Sequence, residues 1–152
     1  MNYQAIRAAI ENSLLTAYNS LAPAVPVYFD NVINYDSDSS EEFVHVNIQF
    51  SLTTESTLTT QLDMVRGIVV VRTYTPKGNG PARNQTLTNT AFTTLQSVNN
   101  TSKTTSGVYV RFGSIAGPSF SPNAVGTSQV RQEELPYFVS RIETSFQAQV
   151  IS

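Results

Sequence analysis

Apolar positions recur at two different spacings along the chain, and these divide it into helical and extended segments. Between residues 3 and 21 they recur every three or four positions, which predicts an amphipathic helix that ends at Pro23. The same spacing returns after Pro81 and predicts a second helix over residues 81–98. The apolar face of the first helix is wide enough to cover one side of a sheet.

Five other segments have the alternation or the composition of strands. Residues 43–52 alternate strictly between apolar and polar side chains, which predicts a strand with one buried face. Residues 66–74 contain the continuous apolar run 67–71, which predicts a central strand covered on both faces. The remaining candidate strands are residues 25–32, 108–112 and 137–151.

These segments predict one α+β domain. A chain of 152 residues has the usual length of a single domain, so we expect one core over residues 1–152. The expected architecture is a mixed, mainly antiparallel sheet of about five strands packed against two helices, with one strand-helix-strand unit. Two segments interrupt it. Residues 53–63 are polar but compatible with a projecting hairpin arm, and residues 113–128 are rich in glycine and proline, which predicts a long loop.

The composition is unusual in its neutral polar residues. Thr, Ser, Asn and Gln together make up 56 of 152 residues, whereas charged residues make up 13% and the net charge is -2. A surface with few long, mobile side chains is less costly to order in an interface, which favours permanent self-assembly. Compositional drift in the lineage explains the same numbers equally well. No basic block is present, so we do not expect ordinary nucleic-acid binding.

No constellation of residues predicts catalysis. His45 is the single histidine and cysteine is absent, so neither a metal site nor an activated nucleophile has its usual partners. Asp36, Asp38 and Glu41 resemble a calcium loop only in part, because Glu41 stands where the EF-hand pattern requires glycine. We expect no catalytic, cofactor-binding or metal-binding residues and no cofactor, with adventitious divalent binding by the acidic loop left open.

No segment near the N-terminus has the apolar core of a signal peptide. No stretch approaches the roughly 20 apolar residues of a membrane span. We therefore expect the protein to be made and kept in a cytosol.

The order and spacing of the segments resemble the tail terminator (tail completion) family of long-tailed bacteriophages. The resemblance covers nearly the whole chain. It is carried by the opening helix with Ile-Arg-Ala-Ala-Ile, the strands at 27–32 and 43–52, the run 67–71, the turn and helix start at 75–82, and the strands at 108–112 and 137–146.

The resemblance implies a fold, a location and a set of partners. The implied fold is a sheet packed against two helices, and the implied assembly is a homohexameric ring. In that family the ring sits on the last layer of the tail tube, stops its polymerisation and offers its other face to the head-tail connector or neck protein. The implied location is the head-proximal end of the virion tail, after assembly in the host cytoplasm. DNA passes through the lumen without specific binding, no membrane is involved, and the family has no catalytic residues to carry over.

A ring closes only through a heterologous interface, in which two different patches of each subunit meet. We expect the arm and the loop to provide these patches. The candidate interface residues are Thr54, Glu55, Thr57, Leu58, Thr60, Leu62, Ser114, Ile115, Phe120 and Val125. Six copies of a chain of net charge -2 carry -12, so a channel lined with neutral and acidic groups would let DNA slide.

Two other functions remain open from the sequence. The first is another neck, connector or tube-like ring protein of the same virion, which would share most of these features. The second is a small monomeric ligand- or metal-binding domain, for which the acidic loop and the glycine-rich turn at 76–80 are the only support.

Overall fold

The structure, a computed structural model, describes residues 3–22, 24–30, 42–55, 62–76, 81–101, 108–120 and 137–151. Two helices and five strands occupy these residues. The helices are α1 (Tyr3–Asn19) and α2 (Ala82–Thr101), and the strands are β1 (Val27–Tyr28), β2 (Phe43–Glu55), β3 (Leu62–Pro76), β4 (Val108–Phe120) and β5 (Tyr137–Ile151). The predicted α+β class is confirmed.

The strands form one sheet in the order β1-β2-β3-β5-β4. Only β1 and β2 are parallel, and every other neighbouring pair is antiparallel. The predicted strand-helix-strand unit is present as β3-α2-β4. Its two strands run in the same direction but are not neighbours, because β5 lies between them. The prediction that residues 66–74 form the middle of the sheet is confirmed.

Both helices contribute their buried residues to a single core with one face of the sheet. Apolar side chains of α1 are buried at intervals of four residues, and those of α2 follow the same rule, as a helix face requires. On each strand the alternate residues complete this core. The members include Ile6, Ile10, Leu14 and Tyr18 of α1, Leu87, Ala91 and Leu95 of α2, and Val46, Val71, Ile142 and Phe146 of the sheet.

The strand residues that alternate with the core point to the opposite side of the sheet, which we call the outer face. On β3, Val70 is only 6% exposed there, whereas Ile68 is half-buried. The prediction that this strand is covered on both faces therefore holds for part of its length. A second buried cluster lies on the outer face, where the rings of Phe43 and Tyr74 stack 4.5 Å apart beside Val139.

Several predicted boundaries differ from the observed ones. The strand expected over residues 25–32 is reduced to Val27–Tyr28, while residues 31 and 32 lie outside the described part of the chain. β2 continues to Glu55 and β3 begins at Leu62, because threonine-rich sequence is well suited to paired strands. The expectation of an irregular segment from Gly113 is wrong as far as Phe120, since these residues belong to β4.

The edge of β2 beyond β1 is closed by an ion pair between α1 and the chain that follows β1. The Asp30 carboxylate accepts hydrogen bonds from the Ile48 backbone N–H at 2.9 Å, from Arg7 Nη1 at 2.7 Å and from Asn47 Nδ2. Arg7 also donates to the Ile48 carbonyl oxygen at 3.3 Å. Both backbone groups of Ile48 are therefore satisfied without another strand, which blunts this edge against unspecific pairing.

This ion pair predicts a dependence of stability on pH. Burial alone would raise the pKa of Asp30, but the hydrogen bonds from Ile48, Arg7 and Asn47 outweigh it and hold the pKa below its usual range. Stability from the ionised carboxylate is present above the unfolded-state pKa of about 3.9 and is lost as the pH falls through the lower folded-state pKa. We expect Asp30→Asn to lower the free energy of unfolding by about 1 kcal/mol at pH 7 and by almost nothing near pH 2.

Urea denaturation at the two pH values measures this difference. Glu11, which shares Arg7, is the matched control. Burial outweighs the Arg7 contacts and raises the pKa of Glu11, so the ionised form does not stabilise the fold. Glu11→Gln should therefore not reduce stability at pH 7. An equal loss for both variants would contradict the role given to Asp30.

Candidate assembly interface

The described ends of the predicted arm, residues 53–55 and 62–63, continue the sheet. Thr54 pairs with Met64 and Glu55 with Asp63, and on the other side Leu62 pairs with Ile151 of β5. Thr54 is exposed, and only the backbone of Glu55 and Leu62 is described. The other arm candidates, Thr57, Leu58 and Thr60, lie outside the described residues.

The base of the arm is held by α1 and by an irregularity in β2. The hydroxyl groups of Tyr3 and Thr53 are hydrogen-bonded at 2.6 Å, and the Tyr3 ring packs edge-on against Phe50. The register shifts between Phe50 and Leu52, and Leu52 is left 55% exposed. The base of the arm is thus anchored to α1 and carries an exposed apolar side chain.

The second predicted segment lies on the opposite edge strand. Ser114 is exposed, whereas Ile115 is half-buried and packs against the core, so Ile115 is less available for contacts than predicted. Phe120 pairs with Ser140 through its backbone, and Val125 lies outside the described residues. β4 continues through this segment because two register shifts absorb its glycines and proline, and Gly117 has a positive φ of 104° that suits glycine.

An open groove of about 550 Å³ lies between this part of β4 and helix α2. Pro118 forms one wall and the exposed ring of Phe92 belongs to the other. The remaining lining is mainly neutral and polar, from Gln85, Thr86 and Asn89 among others. The groove therefore offers a partner a concave shape and some apolar surface, and none of its lining residues is charged.

The two candidate segments lie at opposite ends and opposite edges of the sheet. Thr54 is in register with Met64 of β3, whereas Phe120 is in register, through Ser140, with Thr73 of β3. Nine residues of strand separate these levels, about 30 Å, and three strand spacings add about 14 Å across the sheet. One small partner cannot cover both segments at once, but two neighbours can.

A buried polar network fixes α2 on the sheet beside the groove. Asn84 Nδ2 donates to the carbonyl oxygens of Thr73 and Phe138 at 3.1 and 3.0 Å, and the Thr88 and Ser140 hydroxyl groups are hydrogen-bonded at 2.6 Å. The Tyr18 hydroxyl donates to the Leu87 carbonyl oxygen at 2.8 Å, and burial raises the pKa of Tyr18. The sequence pattern did not indicate this network, because polar residues on a helix are normally taken as its solvent side.

We expect Thr88→Val to lower the free energy of unfolding by about 1–2 kcal/mol, since it leaves the Ser140 hydroxyl buried without this partner. Thr88→Val combined with Ser140→Ala should cost less than the sum of the single changes, because both partners are then removed. Denaturation of the three variants measures the coupling. Thr86→Val is the control, since Thr86 is exposed on the same helix and should lose a few tenths of a kcal/mol. Strict additivity would contradict the network.

The outer face of the sheet is more basic than the sequence analysis expected. Arg66, Arg72, Arg111 and Arg141 all lie at outward positions, and Glu143 is the one acidic side chain described there. Glu143 is paired with Arg141 at 2.7 Å. These four arginines are far apart in sequence, so only the alternation of the strands could have indicated that they share a face.

His45 lies on this outer face and is half-buried, as a structural histidine would be. Burial and the nearby Arg72 guanidinium lower the pKa of His45 below its usual value. Asp36, Asp38 and Glu41 lie outside the described residues, and so do residues 77–80 of the glycine-rich turn at 76–80. Within the described ranges, no three potential ligands are grouped to hold a metal ion and no helix has the length and apolarity to cross a membrane.

Comparisons with known proteins support the fold but indicate no function. No family model matches the sequence, and no curated protein matches it at a significant level. Twenty-two solved chains match by structure. One of them, whose name states no function, aligns over 100% of this chain and 99% of its own, with a TM-score of 0.66 and 18% sequence identity. At this identity the similarity shows the fold alone.

Proposed function

We propose that this chain is a structural virion protein that forms a ring on the head-proximal end of a phage tail tube. The ring stops tube polymerisation and joins the tail to the head connector. The observation that carries the proposal is the placement of two dissimilar exposed segments at opposite corners of one sheet. A closed ring of identical copies needs such a pair, since each subunit contacts its two neighbours through different patches.

The fold and the surface support the same proposal. The α+β architecture that the family resemblance implies is the one observed, with both helices packed into a single core against the sheet. The surface contains many threonine, serine, asparagine and glutamine side chains, which lose little freedom when they enter a permanent interface. Copies of itself, the tail tube protein and a connector or neck protein are therefore the proposed partners.

A tube-growth assay tests the proposal. Tail-tube subunits are allowed to polymerise while growth is followed by light scattering, and the purified protein is added at a ratio of one ring per tube end. We expect growth to stop. Continued growth with the protein incorporated along the tube would instead indicate a tube-like ring component, and a strict monomer that binds divalent metal would indicate a small binding domain.

A shortened arm tests whether the hairpin end of β2 and β3 is needed to arrest tube growth. Because Glu55 pairs with Asp63, residues 56–62 can be replaced by Asn-Gly, which closes a two-residue hairpin with the same register. We expect the fold to be retained and the arrest of tube growth to be lost. The matched control is Gln96→Ala, an exposed change on α2, which should arrest growth like the unchanged protein. Full arrest by the shortened protein would remove the arm from the account.

A further inference from the structure

The first and second parts of the chain, divided between residues 65 and 66, carry opposite net charge. Residues 1–65 contain eight acidic residues and one arginine, whereas residues 66–152 contain eight basic residues and three acidic ones. The first part therefore has a net charge of -7 and the second of +5. The overall charge of -2 hides this segregation along the sequence.

Two arginines of the basic part of the chain line a groove on the outer face. Arg66 of β3 and Arg111 of β4 are both in register with Gln147 of β5, so their Cα atoms lie about 10 Å apart on either side of it. Both arginines are exposed and line an open groove of about 510 Å³. Gly113 also lines the groove and has no side chain to fill it.

The arginines of this groove have no acidic partner within the described part of the chain. The ion pairs found there join Arg7, Arg83 and Arg141 to carboxylates, but not Arg66 or Arg111. Four outward arginines against one outward glutamate give the described outer face a net charge of +3. A face of this charge lining a DNA channel would hold phosphates rather than let them slide.

We infer that the acidic stretch at 36–41 of a second copy docks in the Arg66–Arg111 groove. The inference rests on the proposed ring and names one of its contacts. Asp36, Asp38 and Glu41 offer three carboxylates in six residues with no intervening base, and arginine pairs with carboxylates through two parallel hydrogen bonds. The contact covers the basic face and leaves the channel to neutral and acidic groups.

Chain length excludes Asp38 and Glu41 of the same copy as the source of these carboxylates. Glu42 is held by the Arg83 side chain, with Nε to Oε2 at 2.9 Å, and it precedes Phe43, which pairs with Tyr74. Arg66 lies eight residues along β3 from Tyr74, about 27 Å away. Asp38 is four residues from Glu42 and reaches at most about 14 Å. Asp38 and Glu41 therefore cannot reach the groove of their own copy, and a second copy has to supply them.

Engineered cysteines test this contact without background, because the chain has no cysteine. A Ser37→Cys variant is mixed with a Gln147→Cys variant at low salt, alone and with tail-tube subunits, and mild oxidation is followed by intact mass. We expect the mixed disulfide to form about tenfold faster than in a control mixture with Gln96→Cys on α2. Equal rates in both mixtures would overturn the inference. So would an internal disulfide confined to a variant that carries both cysteines.

Charge reversal separates electrostatic docking from mere proximity. Arg66→Glu with Arg111→Glu in the Gln147→Cys chain should slow the mixed disulfide about tenfold, and Asp36→Arg with Asp38→Arg in the other chain should restore it. No restoration would contradict charge complementarity. Salt-sensitive binding of duplex DNA that the arginine changes abolish, without any cross-link, would assign the groove to nucleic acid instead.

The tube-growth assay distinguishes a failure of the docking contact from a failure of the terminator proposal. Arrest of growth without the mixed disulfide overturns the docking contact and leaves the terminator proposal standing. The mixed disulfide without arrest supports the contact between copies and overturns the terminator proposal.

Discussion

Gly67→Ala is expected to lower the free energy of unfolding by about 3 kcal/mol, because the central strand has no room for a side chain at this position. Gly67 lies in the central strand β3, where the alternation of buried residues calls for a side chain directed at the helices. A methyl group there would meet the Gln49 carbonyl oxygen and would approach Cε1 and Cζ of Phe146 to 2.6 Å. The carbonyl belongs to the neighbouring strand, so relief requires β2 to move.

Thermal unfolding followed by circular dichroism measures this loss, which corresponds to a decrease in Tm of about 10 °C. Gly113→Ala is the matched control, because its methyl group would meet the Ser145 side-chain oxygen at 2.8 Å, and that hydroxyl can rotate away. The control should lose less than about 1 kcal/mol. Adding Phe146→Leu should not rescue Gly67→Ala, since the clash with the backbone remains. Equal effects at the two glycines would contradict the packing described for β3.

Leu14→Ala is expected to cost about 3 kcal/mol, because Leu14 is completely buried between α1 and the rest of the core. The substitution removes the buried side chain from the middle of the stripe formed by Ile6, Ile10, Leu14 and Tyr18. The space left behind cannot collapse without moving the helix, and this adds a cavity penalty to the lost burial.

Leu15→Ala is the matched control for this prediction. It is the same change one residue further along α1, at a partly exposed position. We expect a cost of about 1 kcal/mol, which urea denaturation distinguishes readily from 3 kcal/mol. If both changes cost the same, α1 does not dock through the observed face.

The sequence pattern predicted which segments form helices and strands better than it predicted where they begin and end. Strict alternation in residues 43–52 identified β2 and its buried face, and the apolar run 67–71 identified the centre of the sheet. The helix face of α1 followed from its period of three to four residues. In each case many side chains of one segment meet the same environment, so local composition carries the signal.

β4 shows where this reasoning fails. Gly113, Gly117 and Pro118 are typical of a turn, yet they lie in a strand that continues to Phe120. Two register shifts against β5 accommodate them, and such irregularities depend on a partner strand 22 to 34 residues later in the chain. The position of β5 between β3 and β4 is equally non-local, and no short-range pattern specifies it.

The interface itself stays a prediction, and the sequence reasoning gave no indication of the charge on the outer face. Composition indicated the arm and a loop from Gly113, and the structure places the described ends of the arm and the strand residues 113–120 at opposite corners of the sheet. The basic outer face was not predicted, because Arg66, Arg72, Arg111 and Arg141 are spread over 75 residues of sequence. It becomes visible only when the register of three strands is known.

In physical terms, the proposed ring subunit is a rigid sheet with two unlike contact regions and a basic outer face. The buried network around Asn84 fixes α2, and the Asp30–Arg7 pair closes the free part of the β2 edge. Rigid placement of both regions matters because small angular errors would add up around a closed ring and prevent closure.

Negative-stain imaging of the purified protein mixed with tail-tube subunits tests the central proposal most directly. The account predicts tubes of arrested length that carry a six-fold ring of this protein at one end. Tubes that grow on unchanged while the protein stays monomeric beside them would contradict it.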